Sequence, residues 1–151
     1  MTGEQPTEAP SVRSEVIDLA STPIVAVHGD IDAMAALQEM YRNGVHHLAV
    51  ASTTAPTGLV TAIDLLFGIA GRIPGEPVSV DSLCRRPAPQ VAAEDSVAIA
   101  AHRMIEEHTD ALLVISHGEI RGVLTAVDLV RAIAGNVHYN AEENESETGV
   151  R

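Results

Sequence analysis

The stretches GLVTAID, residues 58–64, and GVLTAVD, residues 122–128, decide how this sequence folds. Both follow the pattern Gly-apolar-apolar-Thr-x-apolar-Asp. The apolar pair suits a short β-strand, and a threonine followed three residues later by an acid is typical of the beginning of a helix. Each stretch, called the Thr–Asp motif below, therefore predicts a strand that leads directly into a helix.

The two motifs lie within a longer internal repeat. Val16 to Gly71 aligns with Val80 to Gly135 without a gap, at a constant offset of 64 residues. Identical pairs outside the motifs include Leu19/Leu83, Pro23/Pro87, Val27/Val91, Ala36/Ala100, Met40/Met104, Leu48/Leu112 and Val50/Val114. Repetition on this scale predicts two copies of one structural unit.

Each copy predicts the order strand, helix, strand, strand, helix. Asp30 is the expected N-cap of the first helix, and Asn43-Gly44 is its expected end. The elements predicted for copy one are a strand at Ile24–His28, a helix to Tyr41, strands at His46–Ala51 and Gly58–Val60, and a helix at Thr61–Ala70. Those predicted for copy two are a strand around Val91, a helix at Asp95–Glu107, strands at Ala111–Ser116 and Ile120–Leu124, and a helix at Thr125–Ala134.

The predicted central strands are apolar on both faces. LAV at residues 48–50 and LLVI at residues 112–115 contain no polar side chain. This pattern is expected where one face of a sheet meets its own helices and the other meets the second copy. A single unit of this size would bury too little surface to be stable alone. The sequence therefore predicts an α/β fold of tandem βαββα repeats packed sheet to sheet.

The composition argues against several classes of function. The 151-residue chain is 46% hydrophobic and carries a formal charge of −12, and all nine of its bases are arginine. This charge argues against a nucleic-acid partner, and the 2% of aromatic residues leaves no platform for base stacking. The only cysteine, Cys84, excludes an internal disulfide and a cysteine-based metal cluster. Without an apolar stretch of membrane-spanning length or a signal segment, we expect a cytoplasmic protein with no membrane partner.

The Thr–Asp motif carries the candidate chemistry. It puts a hydroxyl and a carboxylate at a helix N-terminus, where free amides and the helix dipole favour an anion. The carboxylate matches the 2′ and 3′ hydroxyls of a ribose, and the threonine hydroxyl can donate to a phosphate. The same spacing also forms a capping box, which is a purely structural feature. Recurrence of the motif in both copies favours the binding interpretation.

The repeat with its two motifs resembles a pair of CBS domains, also called a Bateman module. The resemblance implies two domains, at residues 15–75 and 76–137, related by pseudo-twofold symmetry. Residues 1–14 and 138–151 are then flexible acidic tails.

Members of that family bind adenosine nucleotides through this motif. The resemblance implies that the aspartates bind the ribose and the threonines contact the phosphate. Apolar residues of copy one match the position where the adenine lies. The implied ligand-binding residues are Thr61, Asp64, Thr125, Asp128, Ile24 and Val45.

The string GVHHLAV, residues 44–50, is similar to the strand entrance of nucleotide-sensing kinase subunits in this family, where basic residues face phosphates. This makes His46 and His47 candidate phosphate ligands. Copy two has Asp110-Ala111 there, so we expect unequal clefts, with phosphate preferring the cleft near the histidines. The alternative is a strand-entry pair with one solvated and one packed side chain. Adjacent strand residues point to opposite faces, so a shared metal ion is not expected.

Three further residues of copy two have reactive or charged side chains. Arg85 and Arg86 are close enough to the predicted strands to reach a phosphate, but we expect them to be a solvated pair. Cys84 lies in an apolar segment, where we expect it to be a small buried hydrophobe. The histidines outside positions 46 and 47 have no ligand spacing and are expected to be surface or structural residues.

The leading hypothesis is a stand-alone regulatory module that binds AMP, ADP, ATP or S-adenosylmethionine and signals to a partner protein. The nucleotide is then a regulatory ligand and not a required cofactor. The sequence contains no phosphate-binding G-x-x-x-x-G-K-[ST] loop and no nucleophile with an assembled base, so we expect no enzymatic activity. The alternative is a ligand-free homodimeric interaction scaffold, packed through the alanine-rich helix from Met34 to Tyr41.

Overall fold

The computed structural model describes residues 14–22 and 24–135. Pro23 and nearly all of both predicted tails lie outside the described residues. The elements of copy one are α1 (Val16–Leu19), β1 (Ala26–His28), α2 (Ala33–Asn43), β2 (His47–Ala51), β3 (Gly58–Thr61) and α3 (Ala62–Ala70). Those of copy two are a 3-10 turn (Val80–Ser82), β4 (Gln90–Ala92), α4 (Val97–Glu106), β5 (Ala111–Ser116), β6 (Glu119–Thr125) and α5 (residues 126–135).

The two copies form two three-stranded sheets of the same topology. β1 lies parallel to β2, which pairs antiparallel with β3, and β4, β5 and β6 repeat this arrangement. The registers correspond as well, since Ala26 pairs with Ala49 and Gln90 pairs with Leu113. The predicted α/β fold of tandem βαββα repeats is confirmed.

The first helix of each copy begins later than the sequence predicts. Asp30 is not the N-cap of α2, because the chain first makes a turn, and Asp32 caps the helix by accepting a backbone hydrogen bond of 3.0 Å. In copy two, Ser96 caps α4, while Asp95 accepts from a backbone amide of the preceding strand. The predicted end of α2 is confirmed, since Gly44 adopts a left-handed φ of 63°.

Three apolar clusters fill the interior. The core of copy one consists of Ala33, Ala36, Met40, Leu48, Val50, Val60, Leu65 and Val80. The core of copy two consists of Val16, Val91, Ala93, Val97, Ala100, Met104, Leu112, Val114, Leu124 and Leu129. The third cluster lies between the sheets and consists of Ala49, Leu59, Ala88, Ala111, Leu113 and Val123. Neighbouring strand residues thus enter different clusters, which confirms that both faces of each sheet are buried.

The segment that precedes the first strand of each copy packs on the other copy. Ser21, just after α1, exchanges backbone hydrogen bonds of 2.9 and 3.1 Å with Val123 in the sheet of copy two. Arg85, just after the 3-10 turn, exchanges bonds of 2.9 and 3.0 Å with Leu59 in the sheet of copy one. The repeat alignment does not predict this exchange, which ties the two copies together.

The exchange explains the glycine of each Thr–Asp motif. A Cβ added to Gly122 would lie 2.5 Å from the carbonyl oxygen of Ser21, and one added to Gly58 would lie 3.0 Å from that of Arg85. Both distances are shorter than ordinary van der Waals contact. Glycine is therefore needed because a crossing segment approaches the strand closely.

Candidate ligand-binding clefts

A cleft opens in front of each Thr–Asp motif. The first cleft has the motif of residues 58–64 on one wall and residues 104–110 of copy two on the other, around a volume of about 760 Å³. The second cleft has the motif of residues 122–128 on one wall and residues 44–47 of copy one on the other, around about 350 Å³. Both volumes fall in the range of small-molecule sites. The two walls of each cleft thus come from different copies.

Both motifs form capping boxes. Thr61 Oγ1 accepts from Asp64 N at 3.1 Å, and Asp64 Oδ2 accepts from Thr61 N at 3.1 Å. The equivalent distances for Thr125 and Asp128 are 3.3 and 2.8 Å. The interpretation of the motif as a capping box is confirmed. The capping boxes do not close the clefts, because Asp64 also lines the first cleft and Asp128 the second.

The two aspartates differ in exposure and in their partners. Asp128 is only 6% exposed. Its Oδ2 accepts from Thr125 Oγ1 at 3.0 Å, and its Oδ1 lies 3.6 Å from an Arg131 guanidinium nitrogen. Asp64 is exposed, and no other described residue makes a hydrogen bond to its Oδ1. The Asp64 carboxylate is therefore the more available of the two, while the Asp128 carboxylate is held more firmly.

Most backbone amides at the starts of α3 and α5 already donate hydrogen bonds within the protein. The first amide of α3, that of Ala62, donates to His46 O at 2.9 Å, and the first amide of α5, that of Ala126, donates to Asp110 O at 2.8 Å. The third amide of each helix serves the capping box. An anion at either helix therefore meets one remaining amide, and further binding energy has to come from side chains.

The copy-one candidates lie opposite the motif of copy two. His47 Nε2 is 3.3 Å from Asp110 Oδ1, and the histidine side chain is 13% exposed while that of Asp110 is 68% exposed. The neighbouring histidine is exposed. The sequence leaves open which motif these residues face. In the structure the second cleft brings together Ile24, Val45, His46, His47, Thr125 and Asp128.

The expectation that Arg85 and Arg86 form a solvated pair is wrong. Arg85 lines the first cleft and binds Glu107, with 2.5 Å from one nitrogen to the carbonyl oxygen and 2.5 Å from the other to the carboxylate. Arg86 binds Asp81 at 2.6 Å and the carbonyl of Val50 at 3.1 Å. The hydrogen bond to Asp81 raises the pKa of Arg86. Both arginines therefore have protein partners, because the exchanged segment carries them into the interface.

Three titratable residues of the clefts were given no ligand-binding role from the sequence. His108 lines the first cleft, Asp110 lines both clefts, and Arg131 lines the second. The offset of 64 residues relates residues 44–47 to 108–111, and this relation is the signal that could have found the first two. Arg131 stands three residues after Asp128 in α5, so helical spacing could have indicated it.

Cys84 is only half-buried, whereas the sequence predicts a buried side chain. It packs at the border of the copy-one core and lines the first cleft, where burial raises the pKa of its thiol. Within residues 14–22 and 24–135, no group of three or more His, Cys, Asp or Glu side chains is arranged to hold a metal ion. In the same ranges, no helix has the length and apolar character needed to cross a membrane.

A family model described as "CBS domain" matches the chain twice, at residues 16–71 and 80–135. The chain belongs to the CBS-domain family. The two matches coincide with the internal repeat, so the two copies form a CBS pair, as the resemblance implied. A sequence comparison with curated proteins gave no match.

Solved structures of CBS pairs share this fold. The CBS domain pair of protein MJ0100, in complex with 5′-methylthioadenosine and S-adenosyl-L-methionine, has a TM-score of 0.72 and 19% identity over 82% of this chain and 98% of that one. The hexameric CBS-CP12 protein from bloom-forming cyanobacteria has a TM-score of 0.72 and 20% identity, over 78% of this chain and 67% of that one. The CBS domain protein TA0289 from Thermoplasma acidophilum, of unknown function, has a TM-score of 0.70 and 21% identity, over 80% and 69%.

Proposed function

We propose that this CBS pair is a regulatory module that binds an adenosine-containing ligand, such as AMP, ADP, ATP or S-adenosylmethionine, and signals its occupancy to a partner protein. The observation that carries the proposal is that each Thr–Asp motif faces a wall of the other copy across a cleft. A ligand that touches both walls can favour one arrangement of the copies over another, which is the requirement for a population shift. The proposal includes a cytoplasmic location and no catalysis.

The ribose and the adenine have separate candidate partners. In the proposal, Asp64 and Asp128 accept hydrogen bonds from the 2′ and 3′ hydroxyls of the ribose. In the second cleft the adenine lies against Ile24 and Val45, which are half-buried and apolar. The similar CBS pair of protein MJ0100 is in complex with two adenosine derivatives, which supports this ligand class.

The phosphate of a nucleotide is proposed to bind in the second cleft. His46, His47 and Arg131 line that cleft and supply donors or positive charge. The hydroxyl of Thr125 already donates to Asp128, so its contact with phosphate is secondary. Thr61 in the first cleft keeps its hydroxyl hydrogen free of the Asp64 carboxylate, and its proposed role is a direct contact to the ligand.

The test is isothermal titration calorimetry of the full chain with AMP, ADP, ATP, S-adenosylmethionine and GTP. Asp64→Ala and Asp128→Ala should each lower the affinity at one cleft by about tenfold or more, because each removes a charged acceptor of the ribose. Asp30→Ala is the matched control, since Asp30 is exposed and lies outside both clefts. Absence of binding by every adenosine compound would refute the proposal.

A homodimeric scaffold is the second candidate, and an exposed apolar surface favours it. Large apolar side chains that are at least half exposed occur on both helices that follow the motifs. They are Ile63, Leu66 and Phe67 on α3 and Val127, Val130 and Ile133 on α5. The helix from Met34 to Tyr41, which the sequence favours for this contact, exposes two large apolar side chains, Met34 and Tyr41.

The double variant Asp64→Ala/Asp128→Ala separates the two candidates. A sensor loses its ligand and keeps its oligomeric state, whereas a scaffold with empty clefts shows no ligand in either protein. Sedimentation equilibrium and calorimetry on the same samples measure both properties. A dimer with no adenosine ligand in the wild-type chain would establish the scaffold instead of the sensor.

A further inference from the structure

Arg85 crosses the first cleft from one wall to the other. Its backbone pairs with Leu59 in the sheet of copy one, next to the Thr–Asp motif. Its guanidinium binds the carbonyl oxygen and the carboxylate of Glu107, at the C-terminus of α4 in copy two. A carbonyl at a helix C-terminus is a favourable partner for a cation. This contact, the Arg85–Glu107 bridge, therefore joins the two walls of the first cleft.

The second cleft has no equivalent of this bridge. The offset of 64 residues relates Arg85 to Ser21 and Glu107 to Asn43. Ser21 pairs with Val123 as Arg85 pairs with Leu59, but its side chain is uncharged and short. The second cleft instead contains two histidines and Arg131. These cations also lie near carboxylates, but at longer distances: Arg131 is 3.6 Å from Asp128 and 76% exposed, and His47 is 3.3 Å from Asp110. The cation of the first cleft is thus held more tightly than those of the second.

The remaining charges of the first cleft are mainly negative. Asp64 and Asp110 line it together with His108, and Arg85 is the only arginine among its described lining residues. The second cleft also has two aspartates, Asp110 and Asp128, so the clefts differ in their cations and not in the number of aspartates. Glu107 occupies two nitrogens of that guanidinium. A phosphate entering this cleft meets two carboxylates and has to displace a third from Arg85.

We propose that Glu107 determines the specificity of the first cleft: by holding Arg85, it makes the cleft select an adenosine compound without a phosphate, either neutral or positively charged. This inference rests on the proposed function, because it assumes that the Thr–Asp motif binds a ribose. The two clefts then take different adenosine derivatives. Occupancy of the pair depends on the balance between a phosphorylated and an unphosphorylated ligand.

The experiment measures the ratio of AMP affinity to adenosine affinity at the first cleft. It uses the full chain with Asp128→Ala, which disables the second cleft, and titrates AMP and adenosine by calorimetry. Glu107→Gln removes the negative charge that holds one nitrogen of the Arg85 guanidinium, while the backbone carbonyl of residue 107 still holds the other. The released nitrogen should raise the ratio by about tenfold, the effect of one additional charge-assisted contact. Glu106→Gln is the matched control, because it removes the same charge one residue away and should leave the ratio as it was.

A second variant separates release of the arginine from opening of the cleft. Arg85→Met breaks the same bridge but supplies no cation, so the ratio should stay low. An unchanged ratio in Glu107→Gln, or an equal rise in Glu106→Gln or Arg85→Met, would overturn the inference while adenosine binding upholds the proposed function. If neither compound binds any of these proteins, the inference fails. The proposed function fails with it only if the wild-type chain also binds no adenosine compound.

Discussion

The first and second clefts carry the same Thr–Asp motif in different surroundings. The first is the larger, has an exposed Asp64 and is crossed by the Arg85–Glu107 bridge. The second is smaller and holds a buried Asp128 together with His46 and His47. The motif alone therefore does not define what a cleft can bind.

The difference arises from where the opposite walls come from. Each motif faces residues of the other copy, and these facing residues differ between the copies more than the motifs do. Residues 44–47 read GVHH, whereas the equivalent residues 108–111 read HTDA. Both copies keep the Thr–Asp motif, while the walls that face it differ. Three comparisons of matched variants test how far this asymmetry extends.

The largest effect is expected at the glycines that precede the two motifs. Gly122→Ala should lower the free energy of unfolding by about 2–3 kcal/mol, because the new methyl group meets the backbone of Ser21 at 2.5 Å. Gly58→Ala should cost about 1 kcal/mol, since its nearest backbone contact is 3.0 Å. Urea denaturation of both variants measures the difference. Equal losses of stability in the two variants would contradict the closer approach of the crossing segment to the strand of copy two.

A smaller difference is expected between the two aspartates. Asp128→Ala should lower the free energy of unfolding by about 2 kcal/mol, because it leaves the Thr125 amide and hydroxyl without their acceptor in a buried site. Asp64→Ala should cost about 1 kcal/mol, the usual value for an exposed cap. Thermal unfolding without ligand measures both. A greater loss for Asp64→Ala would show that exposure does not separate the two caps.

The smallest effect on stability is expected at Arg131. Its guanidinium is 76% exposed and 3.6 Å from Asp128, so Arg131→Ala should change the free energy of unfolding by less than about 0.5 kcal/mol. The same variant should weaken AMP binding in the second cleft more than adenosine binding. Arg121→Ala is the control, because Arg121 is also exposed and paired, with Glu119, but lines neither cleft. Equal effects of both variants on AMP affinity would show that Arg131 does not contact the phosphate.

Most of the fold could be predicted because its signals are local. The strand at Ala111–Ser116 was predicted with its observed limits, since an apolar run followed by a His-Gly turn leaves little choice. The start of α2 was predicted less accurately, because Asp30 and Asp32 are both good N-caps and only the preceding turn decides between them. In the candidate site, too, only the features that depend on neighbouring residues could be predicted. The capping boxes are encoded within seven residues, whereas Glu107, which binds the Arg85 side chain, is 22 residues away from it.

The sequence by itself determined that the chain contains two copies of one βαββα unit, each with a hydroxyl and a carboxylate at the start of its last helix. Apolar periodicity and capping act over a few residues, so they can be recognised in the sequence without knowledge of the fold. Only the tertiary structure decided that His46 and His47 line one cleft with Asp128 and that Arg85 lines the other with Asp64. These pairings arise from the packing of two sheets and the exchange of the segments before them, and no short-range pattern specifies how distant segments meet.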